Sequence, residues 1–74
     1  MPRSAFAAAL QGGRDAKGYS VSEASLLVGV SESTWIGMEN GSTPPRLELI
    51  SRIARVLSIK ADSLYDSATA DAVA

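Results

Sequence analysis

Glycine and proline divide this chain of 74 residues into segments so short that few folds remain open to it. Glycine occurs at positions 12, 13, 18, 29, 37 and 41, and prolines follow at 44 and 45. Between these positions apolar residues recur every three or four places, which is the spacing of one face of a helix, and no segment alternates as a strand does. A chain of this length forms one domain at most. We therefore predict an all-α fold of several short helices around a single core.

Two serines mark helix starts in the middle of the chain. Ser20 is followed three residues later by Glu23, the spacing of a capping box, and that helix ends before Gly29. Ser31 can cap a third helix, which runs to about Asn40. The predicted inward-facing residues of these two helices are Ala24, Leu27, Val28, Thr34, Trp35 and Met38. Two short helices joined by a tight turn that contains glycine form the helix-turn-helix pattern.

The remaining helices lie on either side of this pair. The first spans residues 3–17, with Phe6 and Leu10 on one face. A fourth begins near Thr43, which can cap it with one of the two following prolines in the first turn. Its predicted buried side consists of Leu47, Ile50, Ile53, Ala54 and Leu57. A short fifth helix over residues 61–66 completes a domain of residues 1–66, and the small, weakly polar residues 67–74 are predicted to form a flexible tail.

Composition excludes several classes of function. The chain has neither cysteine nor histidine, so it lacks the usual ligands of zinc and the parts of a Ser-His-Asp relay. We expect no enzyme activity, cofactor or metal site. Its apolar residues form no run long enough for a membrane span, and we expect a cytoplasmic protein. The formal net charge of −1 argues against generic nucleic-acid binding, although a local basic patch is compatible with it.

The stretch that begins "RDAKGYSVSEASLLVGVSESTW" and continues to "MENGSTPPRLELISRIARVLSIKADSLYD" resembles the helix-turn-helix domain shared by phage repressors, Cro proteins and many bacterial regulators. The resemblance covers roughly residues 5–66 without a gap. It implies a five-helix, lambda-repressor-like fold whose third helix enters the major groove of double-stranded DNA, while the N-termini of the second and fourth helices face phosphates. It also implies a repressor or Cro-like transcriptional regulator that binds an inverted-repeat operator as a homodimer.

The resemblance also indicates which residues would meet DNA. Arg46 is the strongest candidate for a phosphate contact. Glu32 stands where relatives commonly have arginine or glutamine; it can accept a hydrogen bond from a cytosine amino group or simply complement the helix dipole. Ile36 can touch a thymine methyl, and Gly37 would let the backbone come close. The full predicted DNA-binding set is Lys17, Ser22, Ser31, Glu32, Ser33, Ile36, Gly37, Asn40, Ser42, Thr43 and Arg46.

Other positions are assigned to structure or to protein contacts. By the same resemblance Arg14 and Glu39 form an internal ion pair, and helical spacing places Trp35 in the core. The predicted dimer surface consists of Leu49, Val56 and Tyr65. The alternative function is a protein-interaction module such as an anti-repressor, antitoxin or assembly subunit. Its predicted apolar surface consists of Val21, Leu26, Trp35 and Ile36.

Overall fold

The computed structural model describes residues 4–44 and 46–73, and the described residues form five helices and no strand. In chain order these are α1 (Ala5–Lys17), α2 (Val21–Val28), α3 (Glu32–Asn40), α4 (Leu47–Leu57) and α5 (Ala61–Val73). Helix α1 packs against α3, α4 and α5, while α2 packs against α3 and α4. The predicted all-α fold with five helices is therefore confirmed.

Serine side chains begin the first three helices. The Ser4 hydroxyl accepts from the Ala7 amide at 3.1 Å, and the predicted start of α1 at residue 3 lies outside the described residues. The predicted capping box is present: the Glu23 amide donates to Ser20 at 3.0 Å, and the Ser20 amide donates to the Glu23 carboxylate at 2.9 Å. The Ser31 hydroxyl caps α3 by accepting from the Thr34 amide at 3.1 Å. These bonds satisfy amides that have no partner within the helix, so the local sequence fixes these helix starts.

The core is a single apolar cluster to which every helix contributes. Trp35 is its largest fully buried side chain, as predicted, and its exposed fraction is 0%. The other buried members are Phe6, Leu10, Ala24, Val28, Met38, Leu49, Ile50, Ile53, Ala54, Leu57, Leu64 and Ala68. One tryptophan packed among smaller apolar side chains fills the centre where the five short helices meet.

The fourth helix starts later than predicted. Its N-cap is Arg46, which makes no side-chain capping bond, and Thr43 does not cap it. The reason lies in the two prolines, because a residue that precedes a proline is disfavoured in the helical conformation. That restriction applies to both Thr43 and Pro44, so helix α4 begins only at Leu47.

The buried faces of α2 and α4 also differ from the prediction at two leucines. Leu47 is 60% exposed, and Leu49 takes a place in the core instead. The buried stripe of α4 therefore follows positions 49, 50, 53, 54 and 57, which is a regular helical face. In α2, Leu27 is 52% exposed, and Ser25 is buried in its place. The Ser25 hydroxyl donates to the Ser22 carbonyl at 3.0 Å, which allows a polar side chain to be buried there.

Helix α5 continues well beyond the predicted end at residue 66 and reaches Val73. Ala68 lies one turn after Leu64 and is only 2% exposed, so both side chains belong to the core. The helix is also rich in alanine, which has the highest intrinsic helix propensity. The predicted end of the fifth helix at residue 66 was therefore wrong, because small residues were read as a sign of fraying although Ala68 is a core residue.

Candidate nucleic-acid interface

A left-handed glycine makes the turn between α2 and α3. Gly29 has φ 89°, a conformation that residues with a side chain rarely adopt. Its amide donates to the Ser25 carbonyl at 2.8 Å, and the Val30 amide donates to the same carbonyl at 3.0 Å. These two bonds end α2 at Gly29, and Ser31 caps α3 only two residues later. The compact connection sets the relative direction of the two helices that the motif requires.

An arginine of α4 holds this turn in place. The Arg52 Nη1 atom donates to the Val28 carbonyl at 3.0 Å, one of the last carbonyls of α2 that have no partner within the helix. No local pattern in the sequence indicates this contact, since residues 28 and 52 meet only when α2 packs on α4. The only available signal was the general preference of basic side chains for helix C-termini.

Helix α3 has a buried side and an exposed side. Trp35 and Met38 point into the core. On the exposed side lie Glu32, Ser33 and Ile36, at the helical spacing of neighbours on one surface, and Ile36 is 48% exposed. The three side chains proposed to read bases are therefore accessible together on the N-terminal half of α3.

Gly37 does not belong to this exposed side, so its prediction as a close-approach site for DNA was wrong. It is buried beneath the loop that follows α3. A Cβ atom at position 37 would overlap the Thr43 hydroxyl and lie 3.0 Å from the Thr43 Cβ. The Thr43 amide donates to the Gly37 carbonyl at 3.0 Å. The loop therefore packs directly on Gly37, and half-buried Thr43 is a structural contact of α3.

Two further predicted phosphate ligands, Asn40 and Ser42, lie at the end of α3 and in the loop that follows it. The Asn40 Oδ1 atom accepts from the Ser42 amide at 3.1 Å and from the Ser42 hydroxyl at 2.8 Å. Both residues are exposed. These bonds use the Asn40 Oδ1 atom as an acceptor. The two side-chain amide hydrogens of Asn40 take no part in them and can donate to another group. Ser22 and Lys17 are exposed as well, on α2 and at the end of α1.

Arg46 lies at the start of α4 and is paired with a carboxylate. Its Nη2 atom is 2.6 Å from the Glu48 Oε1 atom, and the two side chains are 57% and 69% exposed. The guanidinium is accessible to a phosphate, but in this arrangement a neighbouring anion already occupies it.

Carboxylates stand in the first turn of each helix of the interface. Glu23, Glu32 and Glu48 occupy this position in α2, α3 and α4 respectively. A carboxylate there stabilises the helix by complementing its dipole. It also places negative charge where the resemblance to repressors would place DNA phosphates. The local charge of this face is therefore no more basic than that of the chain as a whole.

Behind the interface, Arg14 and Glu39 form the ion pair that the resemblance implies. Arg14 Nε is 2.6 Å from Glu39 Oε2, Nη2 is 3.1 Å from Oε1, and Nη1 donates to the Tyr19 carbonyl at 3.0 Å. Their side chains are only 15% and 12% exposed. The hydrogen bond to Glu39 raises the pKa of Arg14 above its ordinary value. The Trp35 indole also donates to Glu39, a contact that core packing alone does not predict. The network ties α1 to α3.

The predicted protein-contact surfaces are only partly exposed. Leu49 is buried in the core and half-buried Val56 packs against it, so of the predicted dimer residues only Tyr65 is exposed. Trp35 is buried and Val21 is partly buried, and both side chains face the core. Neither therefore belongs to an exposed apolar surface of the kind predicted for the alternative function. Among the residues that the structure describes, the exposed large apolar side chains are Leu26, Leu27, Ile36, Leu47 and Tyr65.

Comparison with known families agrees with this geometry. The family model described as a helix-turn-helix domain matches residues 5–64. The chain therefore belongs to this family of XRE-like helix-turn-helix domains. No curated protein and no solved structure matches the chain significantly. Among the described residues, no helix combines the length and the apolar character that crossing a membrane demands.

Proposed function

We propose that this protein is a small regulator that binds double-stranded DNA with α3 in the major groove and acts by binding rather than by catalysis. The division of α3 carries the proposal: Trp35 and Met38 anchor one side in the core, while the other side is accessible directly after the turn. Membership of the helix-turn-helix family supports the same orientation.

Anchoring to the DNA backbone would rest on few charges. Arg46 is the principal cation, and exposed Lys17 adds a second from α1. Exposed Ser22 and the first amides of α2 and α4 supply neutral donors, which suit phosphate oxygens at a helix N-terminus. Ser42 can redirect its hydroxyl from Asn40 to a phosphate by rotation. With so few cations, we expect weak affinity at physiological salt and useful affinity only at low salt.

Direct reading of bases would come from a short set of side chains. Glu32 can accept a hydrogen bond from the amino group of cytosine, Ile36 can contact the methyl group of thymine, and Ser33 can either donate or accept. Such contacts discriminate at only a few base pairs. The shape and deformability of the DNA would therefore contribute to the choice of site.

In the cell such a protein would occupy an operator and exclude polymerase or a competing regulator, as a repressor or Cro-like protein of a phage or bacterium does. We propose a cytoplasmic homodimer on an inverted repeat, because two copies bring twice the phosphate contacts to one site. Exposed Tyr65 on α5 is the remaining candidate of the predicted dimer surface.

The test is selection of bound duplexes from a randomised pool at low salt, followed by sequencing. Enrichment of an inverted repeat is the expected result, and its half-site spacing would reveal the distance between the two copies of α3. Enrichment of a single half-site would support DNA binding by a monomer instead. If the folded protein enriches no sequence and retains no duplex, then DNA binding is rejected.

One observation favours a second candidate, a protein-interaction module. Leu26 is 80% exposed on α2, and Leu27, Ile36 and Leu47 are each about half exposed or more. Exposed apolar side chains of this size are typical of partner-binding surfaces. The carboxylates at the helix N-termini also suit this candidate better than DNA. Substitution of Leu26 by Ser would leave duplex retention unchanged if DNA is the partner, and would abolish partner capture if a protein is.

A further inference from the structure

We propose that Glu48 is an intramolecular competitor for the phosphate-binding group of Arg46, so that free protein holds its main DNA anchor in a closed ion pair. This inference rests on the proposed DNA binding and deepens it. The distance of 2.6 Å between Arg46 Nη2 and Glu48 Oε1 gives the pair its charge-assisted hydrogen bond. DNA binding would exchange the Glu48 carboxylate for a phosphate oxygen.

The Arg46–Glu48 ion pair does not connect one helix to another. Arg14 binds a carboxylate of another helix, and Arg52 donates to a carbonyl of another helix. Arg46 instead binds a residue two places further along its own segment. Within a regular helix, residues two apart do not face each other; this pair forms because Arg46 is the N-cap and has an extended backbone. Its contact with Glu48 therefore has a local effect on charge and little effect on tertiary structure.

The exposure of the pair makes the exchange possible. Both side chains are more than half exposed, so a duplex can reach the guanidinium without any movement of the helices. An exposed pair of this kind is weak, because water screens both charges. Glu48 would thus reduce the DNA affinity by a modest factor and would not abolish binding. Glu48 also lies in the first turn of α4, so its charge would repel the phosphate that the exchange brings in.

The experiment is a double-mutant cycle on duplex retention at low salt, with wild type, Glu48→Gln, Arg46→Ala and the double variant. Glu48→Gln keeps the shape of the side chain and removes its charge. Asp66→Asn is the matched control, because Asp66 is an exposed carboxylate on α5, outside the interface, and the change in net charge is the same. We expect Glu48→Gln to tighten binding about two- to fivefold, as an exposed pair allows. In the Arg46→Ala background the same substitution should give a clearly smaller gain.

Other outcomes overturn the inference in recognisable ways. An equal gain from Asp66→Asn would mean that only net charge matters. An equal gain from Glu48→Gln with and without Arg46 would mean that Glu48 repels the phosphate directly and does not compete for Arg46. Either result would leave the proposed DNA binding intact. If no variant retains duplex while circular dichroism shows that all are folded, then the proposed function itself is rejected, and the competition is rejected with it.

Discussion

Thr43 lies where a side chain at Gly37 would have to go, and its amide donates to the Gly37 carbonyl at 3.0 Å. The loop that leads to α4 therefore lies directly on α3. This contact sets the distance between the exposed side of α3 and Arg46, the two parts of the proposed interface. The helix proposed to read bases and the residue proposed to anchor the DNA backbone are thus positioned by the contact between Gly37 and Thr43.

Substitution of Gly37 by Ala should displace the loop and destabilise the protein by roughly 1–3 kcal/mol, the usual cost of overpacking. Alanine is otherwise the better helix former, so the expected loss runs against helix propensity. The free energy of unfolding in urea measures it. The control is Gly12→Ala, since a Cβ at Gly12 meets nothing within 4 Å and α1 should become slightly more stable.

A second substitution identifies the cause of that loss. Thr43→Ala removes the hydroxyl that the new Cβ would overlap, so the double variant Gly37→Ala/Thr43→Ala should be more stable than the sum of the two single changes predicts. Strict additivity would show that the loop does not rest on Gly37.

Loss of one partner of the Arg14–Glu39 pair should be costly, because both side chains are largely buried. Glu39→Gln removes the buried counter-charge of the guanidinium and leaves it only the exposed Asp15 carboxylate at 3.7 Å, so it should destabilise the fold by about 2–4 kcal/mol, near the range for broken buried pairs. Glu32→Gln, an exposed change on the same helix, should have little effect. Equal effects of the two changes would contradict the role of the ion pair.

The pH dependence of this loss follows from the raised pKa of Arg14. A cation whose pKa is higher in the folded state stabilises the fold at every pH below its ordinary value, and the contribution disappears only as pH rises through the higher folded value. The difference in unfolding free energy between wild type and Glu39→Gln should therefore stay constant from about pH 7 to about pH 10. A decrease across that range would show that Arg14 loses its charge.

Arg52 should matter for stability although it is an exposed arginine. Arg52→Met keeps much of the aliphatic chain but removes the bond to the Val28 carbonyl, and we expect a loss of about 1 kcal/mol. Arg55→Met on the same helix is the control and should cost less, since Arg55 only complements the helix C-terminus. Urea denaturation of both variants decides between them, and a larger loss for Arg55→Met would contradict the assignment.

The last part of α5 should be required for the fold. Ala68→Asp places a charge at a core position that is 2% exposed and should cost at least about 2 kcal/mol, because a buried carboxylate has no partner there. The same change at exposed Ala70 should be nearly neutral. Thermal unfolding compares the two variants, and similar melting temperatures would mean that residues after 66 do not pack on the core.

Local signals in the sequence predicted the fold better than the site. The capping residues Ser20 and Ser31 and the turn at Gly29 depend only on near neighbours, and the structure has them as predicted. The start of α4, the burial of Leu47 and the outward position of Gly37 were predicted wrongly, because two prolines delay the helix and the loop after α3 covers the glycine. The contact of Thr43 with Gly37 depends on how the loop folds back onto α3, which no helical spacing rule describes.

Among the predicted DNA-binding residues too, positions that depend on helical spacing were predicted well and contacts that depend on the folded backbone were not. Exposed side chains on α3 follow from helical periodicity, and Glu32 and Ile36 lie where it predicts. The Arg46–Glu48 pair was not predicted, since it depends on the extended backbone of the N-cap.

The most direct test of DNA binding compares wild type with Arg46→Ala over a series of salt concentrations, using a selected duplex and a random one. Arg46→Ala should weaken the binding of both duplexes by a similar factor and flatten the logarithmic salt slope by about one unit, as loss of one phosphate contact does. Weakened binding of the selected duplex alone, or an unchanged slope, would contradict the anchoring role of Arg46. Failure of the folded wild type to bind either duplex at low salt would contradict the account as a whole.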